Sequence, residues 1–245
     1  MLIRLYILDF GLFRVLRLEE GRGFPGYLLQ TDDGQNILVD TGWPARFGED
    51  PQKAVKDDGL EEMVAPLTCG RENLLPGQLS KIGLTPADVD LLVLTHSDTD
   101  HIGGIGMVPA AVPVVIGAAE RALPTPRYNR DPSTKEWPER EYRLIDADHE
   151  LAPGIRLLTT PGHTPGHLSL LLRLPETGPV LLAADAITRE RERQTQRHWR
   201  AWNADAAAAS GRRLDQIARD EGAMLIFGHD PDQWSTLRKA PDFYA

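Results

Sequence analysis

One cysteine, Cys69, stands in 245 residues, so no intrachain disulfide can form and a reducing compartment is expected. Nothing around Cys69 marks it as a thiol nucleophile. A Gly-x-Ser-x-Gly elbow, a phosphate-binding P-loop and a dinucleotide fingerprint are all missing, which sets aside serine-hydrolase, nucleotide-hydrolase and Rossmann chemistry. No apolar run approaches the ~18 residues of a membrane span. Arg4, Asp9 and Arg14 interrupt the apolar N-terminus before any small-residue cleavage site. A cytoplasmic protein without a membrane partner is therefore expected. Basic residues are in deficit, 27 Lys and Arg against 36 Asp and Glu, leaving a net charge of −9. That balance excludes a nucleic-acid backbone as partner and favours a small-molecule substrate. The arginine-rich stretch from Arg189 to Arg200 also carries Glu190 and Glu192 and reads as a solvated surface segment. No repeat, low-complexity tract or linker divides the chain, so residues 1–245 are expected to form a single domain.

Short apolar runs recur along the chain. Ile3–Leu8 reads as an opening strand. Gly26–Thr31 and Ile37–Asp40 read as the arms of a hairpin, with Asp32-Asp33-Gly34 supplying the turn. Residues 43–72 lack periodicity and are expected to be an irregular lid or substrate loop. Leu75, Leu79 and Ile82 fit one face of a short helix, and Thr85-Pro86 fits a cap and first helical position. Further runs lie at 91–94, 112–116, 155–159, 168–172, 180–184 and 224–227. Ala204–Asp220 is the clearest helix, capped by Asn203 and stopped by Gly222. Strands with helices between several of them predict a layered α/β domain.

Residues of chemical interest share an address in this pattern. Asp40, His96, His163, Asp185 and His229 each fall at or just past the end of an apolar run, where loops leaving a rigid sheet build sites. His96-Ser97-Asp98-Thr99-Asp100-His101 packs four ligand-type side chains directly after Leu91–Leu94. Charges placed so close to a buried strand are costly unless paired, and a cation removes that cost. Together with His163, Asp185 and His229 they suffice for two adjacent divalent cations sharing one carboxylate. His149 and His198 are read as ordinary histidines.

The order of these residues resembles the metallo-β-lactamase superfamily, whose signature His-x-His-x-Asp-His is followed by a distant His, an Asp and a last His. Within it the spacing resembles N-acyl-homoserine lactonases. The likeness extends to Ile37-Leu38-Val39-Asp40-Thr41-Gly42, Thr160-Pro161-Gly162-His163-Thr164-Pro165-Gly166-His167 and Phe227-Gly228-His229-Asp230. It implies a four-layer αβ/βα sandwich with the metals at one edge between two sheets. By the same resemblance one metal takes His96, Asp98 and His163, the other takes Asp100, His101 and His229, and Asp185 bridges them. Asp40 supports the site from behind, and His167 is structural rather than a ligand.

Two positions depart from the lactonase pattern. Asp98 stands where the motif has His. A carboxylate is a harder ligand, so zinc leads but iron, manganese or cobalt stay open. Thr188 stands where the lactonases place a Tyr that touches the substrate carbonyl.

The resemblance implies a hydrolase in which a metal-bridging hydroxide attacks a lactone or ester carbonyl, foremost an N-acyl-homoserine lactone. Thr188 would help hold the oxyanion, and the leaving alkoxide would be protonated through Asp100 or water. Phe47 and Met63 are candidates for the acyl pocket, and a homodimer is compatible with the family. The rivals are a metallohydrolase for a phosphodiester, thioester or other lactone, an iron-dependent oxidoreductase, and a non-catalytic metal-binding protein.

Overall fold

The computed structural model describes residues 1–17, 20–127, 136–198 and 201–245. One sheet has the order β4-β1-β2-β3-β5-β6-β7, from β1 (Leu2–Val15), β2 (Glu20–Thr31), β3 (Asn36–Val39), β4 (Val64–Thr68), β5 (Leu91–Leu94), β6 (Val114–Gly117) and β7 (Tyr142–Ile145). The other has the order β12-β11-β10-β9-β8, from β8 (His149–Ala152), β9 (Ile155–Thr159), β10 (Leu168–Leu174), β11 (Gly178–Leu182) and β12 (Met224–Ile226). The helices are α1 (Pro51–Asp57), α2 (Leu75–Ser80), α3 (Thr99–Ile102), α4 (Ala118–Arg121), α5 (Glu190–Thr195), α6 (Ala204–Glu221) and α7 (Pro231–Thr236).

Side-chain alternation along the strands divides the apolar residues among three cores. On β1, Leu5 and Ile7 face the second sheet, while Tyr6, Leu8 and Phe10 face the layer that holds Val55 of α1 and Leu75 and Leu79 of α2. On β10, Leu170 and Leu172 fill the space between the sheets, and Leu171 packs with Leu214 and Ala218 of α6. Helices, sheet, sheet and helix therefore stack as the expected four-layer αβ/βα sandwich. Strands buried on both faces need apolar residues at consecutive positions, which explains the unbroken runs in the sequence.

The expected hairpin is present: β2 and β3 pair antiparallel, and Gly34 holds φ +87° in the turn. Asn203 caps α6 by accepting from the Ala206 N–H, and Gly222 ends it at φ +61°. Among the described residues no helix is long and apolar enough to cross a membrane.

Three expectations need correction. The opening strand is longer than Ile3–Leu8. It runs to Val15 through a register shift between Asp9 and Leu12, where Gly11 takes φ +109° and its N–H donates to Asp9 Oδ1. Segment 43–72 is ordered: it contains α1 and the edge strand β4, which pairs with β1. The stretch from Arg189 is not simply solvated, because Arg189 is largely covered and pairs with Glu20 at 3.0 Å, and 190–195 form α5. Its last two positions, Trp199 and Arg200, lie outside the described residues.

Candidate metal centre

Each turn that carries a ligand-type residue is held by a specific constraint. Asp40 follows β3 at φ +60° and Ala184 follows β11 at φ +45°, left-handed conformations that cost non-glycine residues about 1–3 kcal/mol each. The second of these turns buried Asp185 out of the sheet. Gly162 takes φ +141°, and a Cβ there would stand 2.2 Å from the Ala207 nitrogen of α6, so only glycine lets the His163 turn close on the helix. Glu120, fully buried on α4, accepts from the Ser97 N–H at 3.0 Å and the Gly166 N–H at 3.2 Å. It ties the His96–His101 turn to the turn that carries His163.

These turns bring all seven expected ligands together. The donor atoms of His96, Asp98 and His163 lie within 4.8 Å of one another, as do those of Asp100, His101 and His229, and those of His96, His101 and Asp185. Asp185 lies between the groups. Its Oδ2 is 3.4 Å from His163 Nε2, and its Oδ1 is 3.1 Å from His229 Nε2 and 3.6 Å from His101 Nε2.

Neighbours set the tautomers. The Thr95 hydroxyl donates to Asp40 Oδ2 at 2.7 Å, so its oxygen is left to accept from His96 Nδ1 at 3.0 Å. His101 Nδ1 donates to Asp40 Oδ2 at 2.8 Å, and His229 Nδ1 to the Gly23 carbonyl at 3.0 Å. The Nε2 lone pairs of all three rings then point into the site. His96 Nε2, His101 Nε2 and Asp185 Oδ1 are buried with no hydrogen-bond partner among the described residues. Buried polar atoms are rarely left this way, and a cation satisfies all three. The donor set, four imidazoles and three carboxylates, suits zinc and harder divalent metals alike.

Electrostatics agrees. Burial works against charge on His101, yet Asp100 and Asp40 hold its imidazole well above the ordinary value. His163 and His229 are raised too, each against its burial and chiefly by Asp185. Protons thus collect where cations would sit. His167 differs: burial lowers it to about 3, its Nε2 accepts from the Asp185 N–H at 3.0 Å, and its Nδ1 meets Thr160 Oγ1 at 2.8 Å. Both nitrogens are engaged, so it orients Asp185. His149 is exposed on β8, His198 is half-buried over Gly211, and neither joins the converging donors. Cys69 is inert, because burial pushes its thiol up to about 12.

A cavity of about 280 Å³ opens onto the cluster. Val15, Phe24, Trp43, Leu60, Met63 and Val64 form its apolar wall, and Arg22, Arg127, Thr188 and Glu192 line it with polar groups. Met63 is where the sequence suggested. Phe47 is not: it is fully buried, stacked on Trp43 with ring centroids 4.7 Å apart. Thr188 lines the cavity, but its hydroxyl donates to Glu192 Oε2 at 2.6 Å, and its N–H donates to the same oxygen at 2.9 Å. Any role for Thr188 as a donor to substrate requires that first bond to be exchanged. Arg127 reaches Asp98 Oδ1 through Nε at 2.9 Å and the His163 carbonyl through Nη1 at 3.1 Å. Sequence reasoning missed Arg22, Thr95, Glu120, Arg127 and Glu192.

Comparison with known proteins gives a consistent result. A family model described as the metallo-beta-lactamase superfamily matches residues 26–229. An N-acyl homoserine lactonase from a Bacillus species is 32% identical over 229 residues, covering 89% of this chain and 85% of its own length. The N-acyl homoserine lactonase AttM of Rhizobium radiobacter is 29% identical, with 99% of both chains covered. A solved N-acyl homoserine lactone hydrolase with the product N-hexanoyl-L-homoserine at its catalytic metal center superposes with a TM-score of 0.85 at 27% identity, covering 100% of both chains.

Proposed function

The chain belongs to the metallo-β-lactamase superfamily, and within it we propose that residues 1–245 act as one dinuclear hydrolase domain that opens a lactone, N-acyl-homoserine lactones being the leading candidates. It is a metal-dependent hydrolase. The observation that carries the dinuclear reading is Asp185, whose two oxygens face different ligand groups.

In this reading His96, Asp98 and His163 hold one cation, Asp100, His101 and His229 hold the other, and Asp185 is shared. Zinc is the proposed metal, with iron, manganese and cobalt admitted by Asp98. Two divalent cations, when bound, would acidify a water towards a pKa of about 7 and polarise the scissile carbonyl. Everything else falls to the chain. Asp40 fixes the His101 ring, and Thr95 fixes His96. Arg127 holds Asp98 by one oxygen and leaves Oδ2 turned towards His163 at 3.2 Å. Thr188 is proposed to turn its hydroxyl from Glu192 to the oxyanion, and Asp100 to take the proton that the attacking water gives up and pass it to the leaving alkoxide. The apolar wall of Leu60, Met63 and Val64 would carry an acyl chain.

The test is product identity. Metal-reconstituted protein incubated with N-hexanoyl-homoserine lactone is expected to yield the acyl-homoserine, heavier by one water. Unchanged lactone alongside cleavage of an aryl phosphodiester would move the substrate to another class.

A further inference from the structure

Two arginines line the cavity, and they differ in what they leave open. Arg22 is 6% exposed, and its Nε and Nη2 are sealed from solvent. The Arg127 side chain is 28% exposed and shares the cavity with Asp100, His163 and Thr188. Three bonds fix it there. Its backbone N–H donates to Ser97 Oγ at 3.1 Å, its Nε to Asp98 Oδ1 at 2.9 Å and its Nη1 to the His163 carbonyl at 3.1 Å. Both turns that carry the His96, Asp98 and His163 group therefore hold one planar guanidinium. No described residue accepts from its Nη2.

Charge decides what suits that nitrogen. Asp98 already balances the guanidinium, so an anion at Nη2 would find no net charge to answer. A neutral carbonyl oxygen needs none, and a donor on a charged group still binds it more strongly than a neutral donor does. A guanidinium held by three bonds also loses little freedom when a ligand arrives. The Thr188 hydroxyl, across from it in chemistry, is already spent on Glu192 Oε2 at 2.6 Å. Leu60, Met63 and Val64 line the cavity from the end of α1 to the start of β4, whereas Arg127 enters from the stretch after α4. A lactone whose ring is presented to the ligand cluster and whose chain lies on that apolar wall carries its amide between the two. Arg127 is anchored at the cluster and open to that space.

We propose that Arg127 is a specificity-determining residue, and that its Nη2 donates to the amide carbonyl of a lactone acylated on nitrogen. The cavity then selects lactones with an acylamino group next to the scissile carbonyl over those with a plain alkyl chain there. This deepens the lactone-hydrolase reading and rests on it for the chemistry. The donor itself rests on Arg127 alone.

A matched pair tests the selection. The probes are N-hexanoyl-homoserine lactone and α-heptyl-γ-butyrolactone, in which methylenes replace the amide at equal chain length. The quantity read is the ratio of kcat/KM for the amide over the alkyl lactone, in metal-loaded protein. Arg127→Met is expected to lower that ratio about tenfold, the size of one hydrogen bond from a charged donor. Any effect of the substitution on Asp98 or on metal content falls on both lactones and cancels. Arg127→Lys keeps a cation beside Asp98 but loses the fork, so it is expected to retain metal and still lose the preference. It serves in every assay if Arg127→Met does not fold. Calorimetric binding of the two ring-opened acids to the same proteins needs no turnover, and the preference for the amide acid is expected to fall with the same substitutions.

An Arg127-dependent preference for the amide acid, with neither lactone opened, supports the donor and rejects the lactone chemistry. Both lactones opened, with the ratio unchanged in the variants, overturns the donor and leaves the chemistry standing. An arginine that merely braced Asp98 would slow both lactones alike and give that second result. Neither lactone opened and no Arg127-dependent preference between the acids overturns both.

Discussion

Asp40 Oδ2 lies 2.8 Å from His101 Nδ1, and the same carboxylate takes both the N–H and the hydroxyl of Thr95. One buried side chain therefore sets the ring of His101 directly and that of His96 through Thr95. Substitutions of this kind behind metal ligands cost 10–100-fold in metal affinity. Asp40→Asn keeps a residue that tolerates the observed φ of +60°, so the fold should survive. Its metal affinity should fall about tenfold or more in chelator competition. An unchanged affinity would show that these rings are oriented without Asp40.

Asp98 offers a separate test of metal preference. It pairs with Arg127 and faces His163, and these two hold its carboxyl below the usual carboxylate range against the effect of burial. Asp98→His replaces a hard oxygen with imidazole and should shift the metal bound from a mixed zinc, manganese and iron medium towards zinc. Elemental analysis that gives the same metal ratio in both proteins contradicts this account of the position.

Protons and cations compete for the same donors. His101, His163 and His229 have raised values in the folded chain. Their imidazolium–carboxylate contacts stabilise the metal-free fold fully below the ordinary imidazole value of about 6.5 and are lost as pH rises through the higher folded values. The metal-free Tm should accordingly fall on the alkaline side. The rise in Tm on adding zinc should be larger at about pH 8.5 than at about pH 6.5. Equal rises at both would mean that the cation does not displace these protons.

The proposed ligands were legible because they are chemically distinctive and follow strands buried on both faces, which write themselves as unbroken apolar runs. The supports were not legible. Arg22 sits in Gly21-Arg22-Gly23, a stretch that reads as a polar break, and its burial is created by elements distant in sequence. Glu120 occupies a helix of four residues, too short for any periodicity to show. Segment 43–72 looked irregular for two reasons: α1 has seven residues, and β4 is an edge strand that carries Pro66, tolerable only where no ladder bond is needed.

Phe47 and Met63 could not be told apart by composition, yet one is core and the other lines the cavity. Phe47→Ala should lower stability by about 3–5 kcal/mol in denaturant unfolding. Met63→Ala should barely change stability and should raise KM for decanoyl- more than for hexanoyl-homoserine lactone. Equal effects on both substrates would place the acyl chain elsewhere.

The most direct measurement is proton release from N-decanoyl-homoserine lactone by protein of known metal content, with Asp185→Asn alongside. The account predicts two metals per chain and rapid release for the wild type, with metal content lowered and release abolished in the variant. Full activity in Asp185→Asn would contradict the shared-carboxylate centre on which the account depends.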